Sequence, residues 1–175
     1  MEESKTPLIA IVGPTASGKT SLAVELCKHY NAEAVSCDSM QIYKGMDIAT
    51  AKPTAEEMQG IPHHLIGFVS PDEPFSVAKY CEMAKAAISD ISSRGKKAVL
   101  VGGTGLYYSS LVDNIEFLPE ETDFEYRENL RKRAEIEGAQ VLLDELEKVD
   151  HEAAKQLHVN NIGRIIRALE IHHTT

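Results

Sequence analysis

Gly13, Pro14, Thr15, Ala16, Ser17, Gly18, Lys19 and Thr20 fit G-x-x-x-x-G-K-[ST], and the apolar run Leu8 to Val12 precedes them as a strand precedes a phosphate loop. Such a loop holds a diphosphate or a nucleotide. Its glycines let the backbone turn its N–H groups inward, and the helix that follows adds the positive end of its dipole. Lys19 supplies a positive charge, and Thr20 a hydroxyl suited to Mg²⁺. A second group stands where the run Glu33 to Cys37 meets Asp38-Ser39, at the C-terminal end of a strand, where α/β sheets gather ligands. There Asp38 either takes a proton from an incoming nucleophile or caps the next turn. A third strand, Lys97 to Val101, runs into Gly102-Gly103-Thr104-Gly105 with no acid, although P-loop nucleotidases hold Mg²⁺ with an Asp at such a strand end. Two glycines there permit close backbone approach to a ligand, and the Thr104 hydroxyl points to a second phosphate or metal contact.

Other candidates read more simply. The stretch Gln41 to Pro53 mixes amide, aromatic and basic side chains that could stack on and hydrogen-bond an unstacked base, or form an ordinary surface loop. His63-His64 and His172-His173 are adjacent pairs whose side chains diverge in a helix or strand, so they read as structural. Cys27, Cys37 and Cys81 are odd in number and set among apolar neighbours, which makes them reduced small hydrophobes.

The elements that must position these groups follow from periodicity. Three β-rich runs (Leu8 to Val12, Glu33 to Cys37, Ala98 to Val101) alternate with helical patterns, the signature of a P-loop NTPase-like α/β fold with a parallel sheet and flanking helices. One helix is expected over Ser21 to His29. Another runs from Ser76, its N-cap, to Arg94, with Gly95 at C′. From Asp47 to Pro74 the pattern is weak and predicts a long, partly ordered surface stretch. After Pro119 the pattern becomes helical, over 124–137, 139–148, 151–157 and 162–173, with Asp150 and Asn161 as caps. The expected organisation is therefore a core over 1–118 and a helical module over 119–175.

Composition sets the outer bounds. A chain of 175 residues with 43% hydrophobic content buries one good core and begins a second unit. No run is apolar enough to span a bilayer, and the start, Met-Glu-Glu-Ser-Lys, has no leader pattern, so a cytoplasmic protein is expected, with no membrane and no obligate protein partner evident. The net charge of −9 weighs against a nucleic-acid partner, yet Arg127, Arg131, Lys132 and Arg133 cluster, as do Arg164 and Arg167. Each cluster is interleaved with acids, so a solvated helix face with paired charges is the competing reading. Charge alone leaves the partner open.

Four ordered blocks together resemble the tRNA dimethylallyltransferases, also called tRNA isopentenyltransferases. They are GPTASGKT from Gly13 to Thr20, Asp38-Ser39-Met40-Gln41-Ile42-Tyr43 continuing to Thr50-Ala51-Lys52-Pro53, Pro62-His63-His64-Leu65, and Val101-Gly102-Gly103-Thr104-Gly105-Leu106-Tyr107. The likeness runs from residue 8 to about 118 and continues more loosely through Arg127 and the helix at Asn160 to Leu169. It implies transfer of a prenyl group from dimethylallyl diphosphate to N6 of an adenosine beside the anticodon, in tRNAs that read codons starting with U. In this reading the loop from Gly13 to Thr20 grips the donor's diphosphate. Lys19, Mg²⁺ and its ligand Thr20 offset the leaving group's charge, and Thr104 orients the donor or its metal. Asp38 holds the amine and takes its proton. Asp38, Ser39, Met40, Gln41 and Thr104 read the flipped base, while Arg127, Gly163, Arg164, Ile165, Ile166 and Arg167 match positions that contact tRNA. The family pattern continues beyond Thr175, where a completed helical part and further donor and tRNA contacts are expected.

Three rivals remain at this level. A small-molecule P-loop kinase would use the same loop with ATP and take Asp38 as base for a hydroxyl. An adenylate isopentenyltransferase would prenylate free nucleotide, although the helical module favours tRNA. A non-catalytic nucleotide-binding module would need neither Asp38 nor the Gly102-Gly103-Thr104 block.

Overall fold

The computed structural model describes residues 7–115, 117 and 123–174. Its elements are β1 (Leu8–Val12), α1 (Lys19–Tyr30), β2 (Ala32–Ser36), α2 (Ala55–Met58), β3 (His63–His64), α3 (Val77–Ser93), β4 (Lys97–Gly102), α4 (Gly105–Val112), α5 (Phe124–Glu137), α6 (Ala139–Val149), α7 (His151–Lys155) and α8 (Ile162–Thr174). They fall into two units, Met1–Phe117 and Leu118–Thr175. The expected boundary at 118 and 119 lies outside the described residues.

In the first unit the sheet order is β1-β4-β2-β3 and every pairing is parallel. Both faces are covered, as parallel sheets require. Ala34 and Val99 pack beneath Ala23 and Cys27 of α1, whereas Val35 and Leu100 pack beneath Tyr80, Cys81, Ala84 and Ile91 of α3. Burying side chains such as Val35, Leu100 and Ile91 contributes about 1.5–3 kcal/mol each. Ser76 caps α3 as expected, its Oγ accepting from the Lys79 N–H at 3.2 Å. At the other end Gly95, with φ 72°, sends its N–H to the Ser92 carbonyl while Lys96 N–H reaches the Ile91 carbonyl, a Schellman closure.

The segment expected to be weakly ordered is more structured than its pattern suggests. Thr54 and Glu57 form a reciprocal capping box at α2, with bonds of 3.2 and 2.8 Å. Ile42 and Val69 are buried, and Tyr43 bridges Val69 in parallel. Lys52 turns inward and donates to the Tyr43 carbonyl at 2.7 Å and to Asp47 Oδ1 at 2.5 Å. A two-residue strand and a half-buried lysine leave no periodic trace, which is why the sequence pattern misses this order. One further tie is Glu33, 2% exposed in β2, which accepts from Arg94, Lys96 and His64. The Arg94 hydrogen bonds hold its carboxyl well below the usual carboxylate range, against the opposing effect of burial.

The second unit has its own core of Leu130, Leu142, Leu146, Ile165, Ile166 and Leu169, drawn from α5, α6 and α8. Asp150 ends α6 through its N–H to the Leu146 carbonyl, and its carboxylate caps α7 at the Ala153 N–H, 3.0 Å away. α7 is shorter than the expected 151–157 helix, ending at Lys155. Among the described residues no helix is long and apolar enough to cross a membrane.

Candidate functional site

The phosphate loop folds as its glycine spacing demands. Gly18 takes a left-handed conformation, φ 79° and ψ 12°, and stands as the N-cap of α1 without any side-chain cap bond. The first-turn N–H groups of α1 therefore stay open, and no acidic residue competes for them. The Pro14 carbonyl accepts from Ser17 Oγ at 2.8 Å and from Lys19 Nζ. Lys19 is thus folded back against its own loop, and a bound anion would draw it off as the stronger acceptor.

Thr15 to Ser21 line a cleft of ≈ 240 Å³ together with Ser36, Asp38, Gln41 and His63. Sequence reasoning expected Asp38 either to face the loop or to cap a turn, and both geometries occur. Asp38 Oδ1 accepts the N–H groups of Met40 at 2.9 Å and Gln41 at 3.3 Å. Its residue nevertheless lines the cleft, and among the described residues Oδ2 takes no hydrogen bond. Gln41 uses its amide nitrogen on the Thr50 and Ala51 carbonyls, at 3.2 and 3.1 Å, which fixes the far wall. Ser39 is half-buried and Met40 exposed.

The structure adds a packing reason for the glycine block. A Cβ on Gly102 would lie 2.1 Å from the Cys37 carbonyl oxygen, so Gly102 lets β4 approach the residue that follows β2, and it also lines the phosphate-loop cleft. Cys37 N–H bonds to Val101 O at 2.7 Å, and Thr104 N–H to Cys37 O at 3.1 Å. Thr104 Oγ1 accepts from Ser39 N–H at 2.9 Å and donates to Ser39 Oγ at 3.2 Å. It fastens the Asp38 turn to the start of α4. Thr104 lines a neighbouring cleft of ≈ 260 Å³ with Val12, Pro14 and Tyr108, whereas Thr20 lines the first.

His63 was read as structural, and half of that stands. Its Nδ1 bonds to the Ile61 carbonyl at 2.8 Å, but among the described residues Nε2, which is buried, has no partner, and the residue lines the phosphate-loop cleft. Burial holds the ring's pKa below its usual value against that hydrogen bond. The only signal available in the sequence was its place in the Pro62-His63-His64-Leu65 block. The cysteines are free and buried, and burial pushes the Cys27 and Cys37 thiols up to about 11, so the small-hydrophobe reading holds.

In the second unit Arg127 and Arg167 converge on Glu170, which is 1% exposed. Burial opposes ionisation of Glu170, and the hydrogen bonds from Arg127 and then Arg167 outweigh it and lower its pKa. Arg127 is therefore anchored across α5 to α8, not paired along a solvated face; Arg131 does pair along its helix, with Glu128 at 3.6 Å. Gly163 and Arg164 are exposed on α8. Ile165 and Ile166 are core residues, so their side chains shape the helix and are not open to a ligand.

A parallel sheet whose first strand runs through this loop into an open helix N-terminus defines a P-loop-like α/β protein. The IPP transferase family model matches residues 41–175, and the chain belongs to that family. It is 55% identical over 168 residues to the tRNA dimethylallyltransferase of Caldanaerobacter subterraneus subsp. tengcongensis, covering 96% of this chain and 53% of that one. It is 50% identical over 175 residues to the Bacillus subtilis tRNA dimethylallyltransferase, covering 100% and 56%. Among solved structures, the full-length tRNA isopentenylpyrophosphate transferase of Bacillus halodurans is 49% identical with a TM-score of 0.65, over 98% of this chain and 56% of that one. A eukaryotic dimethylallyltransferase caught acting on tRNA is 31% identical with a TM-score of 0.78, over 96% and 42%. The chain spans about half the length of the curated relatives it matches.

Proposed function

We propose that the protein transfers a dimethylallyl group from dimethylallyl diphosphate to N6 of the adenosine beside the anticodon, in tRNAs that read U-starting codons, and that it works in the cytoplasm. The observation that carries this is one cleft lined by both the phosphate loop and Asp38, while β4 ends without a carboxylate. That pairing suits departure of a diphosphate better than hydrolysis of a nucleotide. The N6–C1 bond forms as the C1–O bond breaks, the electron pair leaves on the diphosphate oxygen, and the amine proton passes to Asp38. The loop N–H groups and Lys19 stabilise the departing charge. An exocyclic amine is a poor nucleophile, so holding it in line matters more than the basicity of Asp38.

The cleft offers the Thr20 hydroxyl and two buried unpartnered polar atoms, Ser36 Oγ and His63 Nε2, a donor set that fits a hydrated hard cation. Thr20 would hold Mg²⁺, which when bound would neutralise charge on the diphosphate. Thr104 acts by fixing the Ser39 turn, so that Ser39, Met40 and Gln41 meet the base. Extruding the adenosine from its loop costs a few kcal/mol. Arg127, Arg164 and Arg167 on the helical unit meet tRNA phosphates, with Gly163, Ile165 and Ile166 shaping that surface. Incubation with an unmodified anticodon stem-loop, dimethylallyl diphosphate and Mg²⁺ tests this. One added dimethylallyl group on the adenosine, read by mass spectrometry of nucleosides, supports it; phosphate transfer from ATP to a small molecule would contradict it.

A further inference from the structure

Four buried polar side-chain atoms among the described residues take no hydrogen bond, and two of them, Ser36 Oγ and His63 Nε2, line the same cleft. Leaving such an atom unsatisfied forfeits its hydration without return, so two at one site call for a partner. Their placement is set by the sheet. His63 pairs with Ala34 in register, and Ser36 follows Ala34 by two residues, on the same face. That face packs against α1 through Ala34, Ala23 and Cys27, so both side chains lie at the α1 side, near its first turn and Thr20. From strand spacing the two Cα atoms are about 8 Å apart, and since Ser36 Oγ and His63 Nε2 do not bond each other, one or two waters can serve both. The Ile61 carbonyl can only accept, which places a proton on Nδ1 of His63. With its pKa held below the usual value, the ring is neutral at pH 7 and Nε2 is a lone-pair acceptor. A neutral acceptor repels a bare phosphate oxygen and welcomes an O–H donor.

We propose that Ser36 and His63 are positioning residues that accept hydrogen bonds from the waters of a Mg²⁺ ion held by Thr20 at the diphosphate site. This rests on the proposed metal-assisted reading of the cleft. Mg²⁺ sheds its water reluctantly and is usually held through only a few protein ligands, so the groups that orient its hydration shell decide where it sits. The pair fixes the ion beneath the loop without touching the diphosphate.

The test is calorimetric titration of the full chain with inorganic pyrophosphate, with Mg²⁺ and again with excess chelator, using Ser36→Ala, His63→Ala and His63→Gln. With Mg²⁺, each alanine variant is expected to bind about tenfold more weakly, with His63→Gln partly restored because its amide oxygen can accept from water. With chelator, all three bind as the parent does. Thermal unfolding of ligand-free Ser36→Ala should match or exceed the parent, because the change removes an orphaned hydroxyl. Equal loss with and without Mg²⁺ would mean direct phosphate contacts and overturn the proposal. Unchanged binding would reduce the pair to holders of structural water and overturn it too, while leaving the diphosphate site intact. Failure of the parent chain to bind pyrophosphate under either condition would instead remove the diphosphate reading itself, and this proposal with it.

Discussion

Asp38 and Lys19 line one cleft but are built for different tasks. Among the described residues Lys19 is held by a loop carbonyl alone, which an anion displaces, while Asp38 is fixed by two backbone N–H groups and keeps one oxygen uncommitted. Lys19→Ala is therefore expected to weaken diphosphate affinity by about one to two orders of magnitude, the loss of a charge-assisted contact. Asp38→Ala should leave donor affinity nearly intact and abolish turnover, as read by titration beside single-turnover assays; equal loss of affinity in both would sink this division. Gly102 makes a structural prediction. Gly102→Ala forces a Cβ against the Cys37 carbonyl and should cost about 3 kcal/mol or more, seen as a lower midpoint in urea, whereas Gly105→Ala, with open space, should not. The phosphate loop was legible because each residue type has a local reason. The packing constraint on Gly102 was not legible because it comes from a segment distant in sequence, and the second role of His63 was not because an orphaned nitrogen has no signature outside the fold.

At the level of elements, β2 is the pivot, since it carries Glu33 near one end and Ser36 at the other, with Asp38 two residues further on. Glu33 has a folded pKa below its unfolded value of about 4.3, so the native state binds fewer protons in that window and stability rises with pH. The contribution is complete above the unfolded pKa and is lost as pH falls through the folded one. Denaturant titrations between pH 6 and 3, round values spanning about the unfolded pKa, should show falling stability, and Glu33→Gln should flatten that slope while lowering stability at neutral pH. The long helices and the three longer strands were legible from period and caps, with ends that coincide or differ by one or two residues. β3 and the fold of residues 41–69 were not, since a half-buried Lys52 and a two-residue strand look like loop in any local window.

At the scale of the whole molecule, a P-loop-like sheet unit and a helical unit each carry their own core. The net charge of −9 conceals arginines that buried Glu170 holds in place, which is why charge alone left the partner of the second unit open. Family membership is the firm anchor, and the donor is the central claim. Calorimetric titration with dimethylallyl diphosphate and, separately, ATP, each with Mg²⁺, tests it most directly when Lys19→Ala serves as the control. Tighter binding of the prenyl donor that disappears in Lys19→Ala is the predicted result. Preference for ATP with no response to the prenyl donor would contradict the account and make the cleft a kinase site.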